Sequence, residues 1–333
     1  MIKSKIEDYL IKALTDADLT RTNAEWEVFV PENEKFGHYS TNAALKLGKL
    51  KKKNPLVIAE EILNKLNIIA PKNFFEKIEI ASPGFINFWL STETLSGELN
   101  EIIKQKNNYG ASQVGKRKII VVDYSSPNIA KPMTVGHLLS TIIGQALVNI
   151  LKFQGYHVIS DNHLGDWGTQ FGALIAAWKK WGNKREFEKN PIDYLVKLYV
   201  RFHKAGDSHE DLIAAARQET KRLQSGDAEN KKLWRLFIKQ SLNDFNKTYK
   251  RLDVKFDYVL GESFYQPMLE SVVEEAIKKG IAKMDDGAVK IFNKENLPPF
   301  VIQKSDGSFL YPTTDLAAIK YRQKRWNSPK ILY

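Results

Sequence analysis

The sequence feature that most constrains the fold is a run of four β-branched residues, Ile119 to Val122. A continuous apolar run of this kind is typical of a strand buried on both faces of a parallel sheet. Residues Thr134 to Phe153 then have apolar side chains at helical spacing and end before Gly155, and Tyr156 to Ser160 is a second predicted strand. Strand, helix and strand in this order predict a βαβ unit, so we expect an α/β fold with a Rossmann-type, doubly wound parallel sheet.

Residues 1–110 predict a separate, small α+β domain in front of this unit. Helical spacing, helix-start signals and period-two alternation around Pro83-Gly84 indicate three helices, a short strand and a hairpin. The predicted helices are Ile2–Leu14, one within Ser40–Leu50, and Pro55–Leu66, and the predicted strands are Glu27–Val30, Phe75–Ser82 and Phe85–Leu90. The polar segment 107–116 is the predicted linker, which gives domains of 1–110 and 111–333.

The second domain is expected to contain a helical insertion. Residues from about 178 to 252 are mostly charged and have helical spacing, so we predict helices there rather than more sheet. Three later segments are predicted to be extended: Val289–Phe292, Phe300–Gln303 and Phe309–Tyr311. The chain stops at Tyr333 in a further predicted strand, and we expect it to be a fragment of a longer protein.

The charge of the chain favours a polyanionic partner. Fifty lysine and arginine residues against 39 aspartate and glutamate residues give a net charge of +11. Lysine and arginine gain affinity for phosphates by releasing counterions, so RNA, DNA and anionic membranes are all candidates. A lysine-rich composition without functional meaning explains the same charge. Charge alone therefore does not identify a partner.

The residue types exclude several kinds of chemistry. The chain has no cysteine, which excludes disulfides, thiolate nucleophiles, iron–sulfur clusters and the usual structural zinc sites. The six histidines show no HExxH or other metal spacing, so no metal site is predicted. No apolar run approaches the ~20 residues that cross a bilayer, and the N-terminus is unlike a signal peptide. We expect a cytoplasmic protein without membrane contact.

The segment between the first strand and its helix, SSPNIAKPMTVGH from Ser125 to His137, is the candidate site. In an open α/β sheet, ligands bind at the carboxyl ends of the strands, and the N-terminus of the next helix offers free N–H groups to an anion. Gly136 permits close approach of a base or phosphate, His137 can donate to phosphate oxygens, and Lys131 adds a mobile positive charge. The pattern predicts a nucleotide site.

The segment from Val121 to Gly172 resembles the signature region of arginyl-tRNA synthetases, with TVGH, residues 134–137, in the place of the class I His-x-Gly-His motif. Further similar segments are RLDVKFDYVLGESFY at 251–265, DGSFLYPTTDLAAIKY at 306–321 and GFINF at 84–88. Two residues depart from the family pattern, since Thr134 stands where histidine is frequent and Leu139 where arginine is frequent. The family also continues beyond Tyr333 through the rest of the catalytic domain and a helical anticodon-binding domain.

The resemblance implies an arginine–tRNA ligase with a class I synthetase catalytic domain. The arginine carboxylate attacks the α-phosphate of ATP, pyrophosphate leaves, and a ribose hydroxyl of the terminal adenosine of tRNA(Arg) then takes the arginyl group. Positioning and charge stabilisation are sufficient for this reaction, so no protein nucleophile is required. The implied partners are tRNA(Arg), L-arginine and ATP with its Mg²⁺, without a tightly bound cofactor, and we expect a monomer.

The resemblance also implies roles for individual residues. Those expected to act in catalysis are Lys131, Thr134 and His137, with Lys131 taking the role of the absent KMSK lysine. Those expected to contact ATP are Thr134, Gly136, His137, Gly165, Asp166, Trp167 and Gly168. Those expected to bind arginine are Asp123, Asn128, Tyr311 and Asp315, because carboxylates match the fork of a guanidinium. In the N-terminal domain, Phe85 and Asn87 match positions that contact the tRNA elbow.

Other interpretations of the same residues stay open from sequence alone. His137 is also explained as a helix-capping or partly buried histidine, Asp315 as the N-cap of the helix that follows it, and GDWG as a tight turn with a packed tryptophan. Two other functions are possible: a truncated relative that binds tRNA or arginine without chemistry, and another nucleotidyl transferase on the same sheet. The second leaves Asp123, Asp315 and GFINF without a role.

Overall fold

The computed structural model describes residues 1–17, 19, 25–206, 210–292 and 297–333. These residues form two compact units, Met1–Ala111 and Ser112–Tyr333. Each unit has its own apolar core and is described separately below.

The first unit packs helices against an antiparallel sheet of four strands in the order β1-β2-β4-β3. Its core comes from the inner faces of the first three helices and from β4. The elements are α1 (Ile2–Asp16), β1 (Val28–Phe29), β2 (Tyr39–Thr41), α2 (Ala43–Lys51), α3 (Pro55–Ile69), β3 (Phe75–Ala81), β4 (Phe85–Leu90) and α4 (Thr92–Gln105). The hairpin predicted around Pro83-Gly84 is confirmed as β3 and β4, which pair antiparallel.

The second unit is built on a sheet of four parallel strands in the order β11-β5-β6-β7. Its elements up to the inserted helices are β5 (Ile119–Asp123), α5 (Val135–Phe153), β6 (His157–Asn162), α6 (Thr169–Trp181), α7 (Lys184–Lys189), α8 (Pro191–Gly206), α9 (Glu210–Gln224) and α10 (Ala228–Leu252). Those that follow are β7 (Tyr258–Val259), α11 (Glu262–Tyr265), α12 (Leu269–Lys278), β8 (Ala282–Asp285), β9 (Ala288–Ile291), β10 (Phe300–Gln303), α13 (Tyr311–Trp326) and β11 (Lys330–Leu332). The predicted parallel, Rossmann-type sheet is confirmed.

Two of the predicted extended segments lie in a different sheet from β5 and β6. The strands β8, β9 and β10 pair antiparallel with one another and form a sheet of three strands. The third extended segment was predicted at Phe309–Tyr311, and for Tyr311 this is wrong, because α13 begins there with Pro312 in its first turn, where proline suits a helix. The N-cap of α13 is Leu310, so the alternative role of Asp315 as an N-cap is also wrong.

The segment from 178 to 252 is helical among its described residues, with 207–209 outside them. It contains the end of α6 and all of α7 to α10, and these helices pack on one another around the largest apolar core of the second unit. No strand is found in the described part of this segment.

The crossover helix α5 is bound to the sheet closely at one point. Gly144 lies against the ring of Tyr124, and a Cβ at position 144 would be 2.2 Å from Cγ of that ring. Elsewhere α5 exposes apolar side chains, among them Val135, Leu139 and Ile142. By length and composition alone α5 is long and apolar enough to cross a membrane, and 17% of its apolar window is buried in the structure.

Candidate active site

A cleft lies at the carboxyl ends of β5 and β6, where an open parallel sheet binds ligands. Its volume is about 480 Å³, within the range of ~300–1,000 Å³ typical of ligand pockets. One wall is the middle of α5, including Ser140 and Gly144, and the other includes Asp123, His163 and Tyr333. The cleft thus lies between the crossover helix and an acidic strand end.

The loop from β5 to α5 is held in an unusual backbone conformation. Ser125, Ser126 and Ala130 have φ of 75°, 46° and 61°, in the left-handed region that non-glycine residues seldom adopt. Side chains of α10 hold the loop: Tyr249 Oη lies 2.8 Å from Ser125 Oγ, and Ser241 Oγ accepts from the Ala130 N–H at 2.9 Å. The inserted helices therefore help to shape this loop.

The start of α5 is open to solvent. Val135 is 81% exposed, and a Cβ added at Gly136 would meet only Thr134 Oγ1, at 3.7 Å. The N–H groups of this first turn are therefore accessible to a phosphate, as expected for a nucleotide site. No packed side chain covers the helix start in the described part of the chain.

His137 caps its own helix with one ring nitrogen. Nδ1 accepts from the Thr134 backbone N–H at 3.1 Å and lies 2.8 Å from Thr134 Oγ1. An Nδ1 that accepts from an N–H carries no proton, which places the proton of the neutral ring on Nε2. The capping role and a donor role for Nε2 are therefore compatible.

Lys131 is exposed at the mouth of the same loop. Its Nζ lies 5.5 Å from the ring centroid of Tyr199 on α8, a cation–π distance. It makes no ion pair with the described residues, so its charge is not neutralised by a carboxylate there.

The GDWG segment is a tightly anchored turn. The Asp166 carboxylate accepts from Ser263 N–H at 2.8 Å and Ser263 Oγ at 2.6 Å, and burial raises its pKa. Trp167 packs edge-on against Trp234, with ring centroids 5.7 Å apart. The carboxylate of Asp166 is thus engaged inside the protein, which agrees with the packing interpretation, while Trp167 and Gly168 remain half-exposed.

Asn128 lies directly beside this turn. Its backbone bridges to Gly165, and a Cβ at position 165 would be 2.2 Å from Asn128 Oδ1. Because glycine has no Cβ at position 165, the Asn128 side chain can occupy this space without a steric clash. The two sequence-predicted segments, the β5–α5 loop and GDWG, are brought together by this contact.

The Asp123 carboxylate is held by an arginine that sequence reasoning missed. Arg322 Nη2 on α13 lies 2.7 Å from Asp123 Oδ2 and 2.8 Å from Asp161 Oδ2, and all three side chains are nearly inaccessible to solvent. Burial raises the pKa of Asp161 to about 6, with a further contribution from Asp123, against the opposing effect of Arg322. Asp161 is the register partner of Asp123 on β6.

The second predicted carboxylate, Asp315, belongs to the same neighbourhood. Its Oδ1 accepts from the hydroxyl of Tyr333, at 2.6 Å, and Tyr333 lines the cleft with Asp123. Tyr311, one helical turn before Asp315, is 73% exposed. The structure thus brings Asp123 and Asp315 to one end of the sheet and leaves Tyr311 on the surface beside them.

Glu262 is a further acid that the sequence analysis did not select. It is half-buried at the start of α11, and burial together with Asp166 and Asp315 raises its pKa to about 7. The sequence did contain a signal for Glu262. It lies in the GES tripeptide of 261–263, shortly after the strand β7, just as Asp123 lies at the end of the strand β5. Asp161 could have been selected by the same rule, whereas Arg322 had no local signal.

In the first unit, the two predicted tRNA-contact residues lie on β4. Phe85 is half-buried and packs edge-on against Phe29 at 6.3 Å. Asn87 is 3% exposed, and its Oδ1 accepts from Ser40 Oγ at 2.8 Å. The amide of Asn87 is therefore used inside the unit.

The parallel sheet, the open helix start and the acidic strand ends fit the catalytic domain of a class I aminoacyl-tRNA synthetase. Residues 98–333 match the family described as tRNA synthetases class I (R), catalytic domain. Residues 2–90 match the Arginyl tRNA synthetase N terminal domain. The chain belongs to the arginyl-tRNA synthetase family.

Individual relatives agree with this assignment. The chain is 44% identical over 309 residues to the arginine–tRNA ligase of Fusobacterium nucleatum, with 92% of this chain and 53% of the relative covered. It is 41% identical over 326 residues to that of Clostridium botulinum, covering 95% and 57%. The arginyl-tRNA synthetase structure from Plasmodium falciparum matches 99% of this chain and 58% of its own, at 30% identity and a TM-score of 0.78. The chain therefore spans little more than half the length of these relatives.

Proposed function

We propose that the protein carrying this chain is an arginine–tRNA ligase that activates L-arginine with ATP and transfers it to tRNA(Arg). The observation that carries this proposal is the loop that runs from the strand end holding Asp123, which lines the cleft, to the exposed start of α5, with Asp315 bonded to Tyr333 of the same cleft. Anionic phosphates suit the first feature and a guanidinium suits the second. The family assignment supports the same pairing of ligands.

In the first step, the arginine carboxylate oxygen bonds to the α-phosphorus of ATP and pyrophosphate leaves. Thr134, Gly136 and the Nε2–H of His137 bind phosphate oxygens at the helix start, and Lys131 stabilises the charge that develops on them. Mg²⁺ enters with ATP as the counter-ion of its phosphates. No group of three or more His, Asp or Glu side chains with metal-ligand geometry is found among the described residues.

The remaining assignments concern orientation of the substrates. Asp123, Asp315 and Tyr311 receive the guanidinium, and Asn128 holds the α-amino end. The adenosine lies against the turn formed by Gly165, Asp166, Trp167 and Gly168, which the Asp166 carboxylate anchors through Ser263. In the second step a ribose hydroxyl of tRNA attacks the carbonyl carbon of the adenylate, and AMP leaves. We assign the tRNA elbow to the surface around Phe85 and Asn87, and the protein to the cytoplasm as a monomer.

Arginine-dependent exchange between ATP and pyrophosphate, measured with tRNA present in the full-length protein, tests the proposal. Exchange should occur and should fall at least ~100-fold in Lys131→Ala, in line with the loss of one transition-state contact. Lys152→Ala, an exposed lysine on α5, is the control and should leave exchange unchanged. Binding of arginine without any exchange would instead establish a binding-only relative, and stabilisation by another amino acid alone would establish a different transferase.

A further inference from the structure

Helix α13 places one arginine directly over the ends of β5 and β6. Trp326 packs on Val121 and Ile159 in the middle of the sheet. Side chains two residues apart on a strand share a face, so Asp123 and Asp161 project on that same face. Arg322, one turn before Trp326 on α13, therefore lies above these two acids.

The contacts divide the Asp123 carboxylate into two halves. Oδ2 is bound by Arg322 Nη2 at 2.7 Å, while within the described part of the chain Oδ1 accepts only from the Ser126 hydroxyl, at 3.2 Å. Arg322 is itself anchored on the far side, where its Nε and Nη2 donate to Asp161 Oδ2 at 3.2 and 2.8 Å. The Asp123 side chain is only 4% exposed, but it lines the cleft, and Oδ1 is the oxygen that Arg322 does not bind.

We propose that Arg322 is a positioning residue for arginine recognition, which fixes Asp123 so that Oδ1 receives the guanidinium of the substrate. The inference rests on the proposed function and adds a residue outside the expected binding set. Asp161 serves in this arrangement as the anchor of Arg322, and the substrate does not contact either of them.

The geometry requires a guanidinium at position 322 rather than any positive charge. Arg322 uses Nη2 for two acids and Nε for a second bond to Asp161, a planar arrangement that an ammonium group cannot reproduce. Around it, Arg322 Nη1 and the hydroxyl of Tyr265 are buried and have no hydrogen-bond partner among the residues that the structure describes. Such a half-satisfied polar group is costly for stability, which argues for a role beyond holding the fold together.

Two variants separate positioning from stability. Arg322→Lys retains the positive charge but loses the planar guanidinium with its several N–H donors. The double variant Arg322→Met with Asp161→Asn removes one positive and one negative buried charge together, so the net buried charge is unchanged. Arg325→Lys, at an exposed position on the same helix, is the matched control.

Steady-state kinetics and calorimetric binding of arginine in the full-length protein provide the readout. Both Arg322 variants should raise KM and Kd for arginine about tenfold, while KM for ATP and kcat change less than about threefold, because only the guanidinium contact is disturbed. A role confined to stability would lower the unfolding temperature and leave KM for arginine unchanged in the folded variants, and that result overturns the inference. Absence of arginine binding in the unsubstituted protein overturns the proposed function, and this inference with it.

Discussion

The backbone N–H of Thr134 donates to Nδ1 of His137 across 3.1 Å, and this bond assigns two tasks to one imidazole. Nδ1 closes the start of α5, and the proton on Nε2 remains for a ligand. Capping and ligand binding can therefore be separated by mutation.

Replacement of His137 by alanine should lower arginine-dependent exchange about 100-fold, because a donor to the phosphates is lost. Stability should fall by only about 1 kcal/mol, the usual cost of a lost helix cap. Asn is the matched control: its short amide can still accept from the Thr134 N–H but does not extend to the position of Nε2. Exchange should therefore stay low in His137→Asn while thermal unfolding returns to the original temperature. Full exchange in the alanine variant would contradict the assignment.

The ring of Tyr199 should hold Lys131 near the phosphates. Tyr199→Leu keeps an apolar side chain, shorter than tyrosine, and removes the π face; a cation–π contact at an exposed site contributes about 0.5–1 kcal/mol. We expect exchange to fall about two- to fivefold, measured as kcat for pyrophosphate exchange. Tyr199→Phe retains the ring and should leave the rate unchanged, and an equal loss in both variants would exclude the ring contact as the cause.

Two helical glycines should respond to alanine in opposite ways. At Gly144 a Cβ would fall 2.2 Å from the Tyr124 ring, so Gly144→Ala should destabilise the second unit by about 1–3 kcal/mol through overpacking. At Gly97 on α4 nothing lies within 4 Å of the added Cβ, and alanine should stabilise the helix by about 0.5–1 kcal/mol. Thermal unfolding of both variants gives the comparison, and a neutral Gly144→Ala would disprove the close contact.

Glu262→Gln should stabilise the protein in a pH-dependent way. The pKa of Glu262 is raised from 4.5 to about 7, so between these values the folded protein keeps a proton that the unfolded chain has released, and stability falls as pH rises. Glutamine does not titrate and avoids this cost. Because the side chain is partly exposed, we expect a gain of about 1–2 kcal/mol near pH 8 and almost none near pH 4.5. Urea denaturation at the two pH values measures this gain in stability. Glu270→Gln, at an exposed position, is the control. A gain that is the same at both pH values would contradict the raised pKa of Glu262.

The local spacing of apolar residues was sufficient to predict the strands and the helix that surround the cleft. The β-branched run of β5, the apolar spacing of α5 and the strand β6 are properties of consecutive residues, and each lies within about two residues of its predicted bounds. The start of α13 was misplaced because Phe309 and Leu310 resemble a strand, whereas Pro312 in the first turn begins a helix.

The spacing of neighbouring residues could not predict ion pairs between residues that are far apart in the sequence. Arg322 lies among Lys320, Lys324 and Arg325 and looks like one more solvated charge, yet it is completely buried against residues about 160 and 200 positions earlier. Burial of that arginine depends on the placement of α13 over the sheet, which no short pattern encodes. The site residues that motif comparison selected stay predictions until the substitutions are measured.

The left-handed backbone at Ser125, Ser126 and Ala130 has a consequence for the inserted helices. Each such residue costs roughly 1 kcal/mol, so the loop would relax without the contacts from Ser241 and Tyr249 of α10. The inserted helices of 178–252 can therefore be shortened only if α10 still contacts the loop. A trimmed variant that lost this helix would lose the two contacts that hold the loop and, with Phe237 and Phe245, part of the apolar core beneath the sheet.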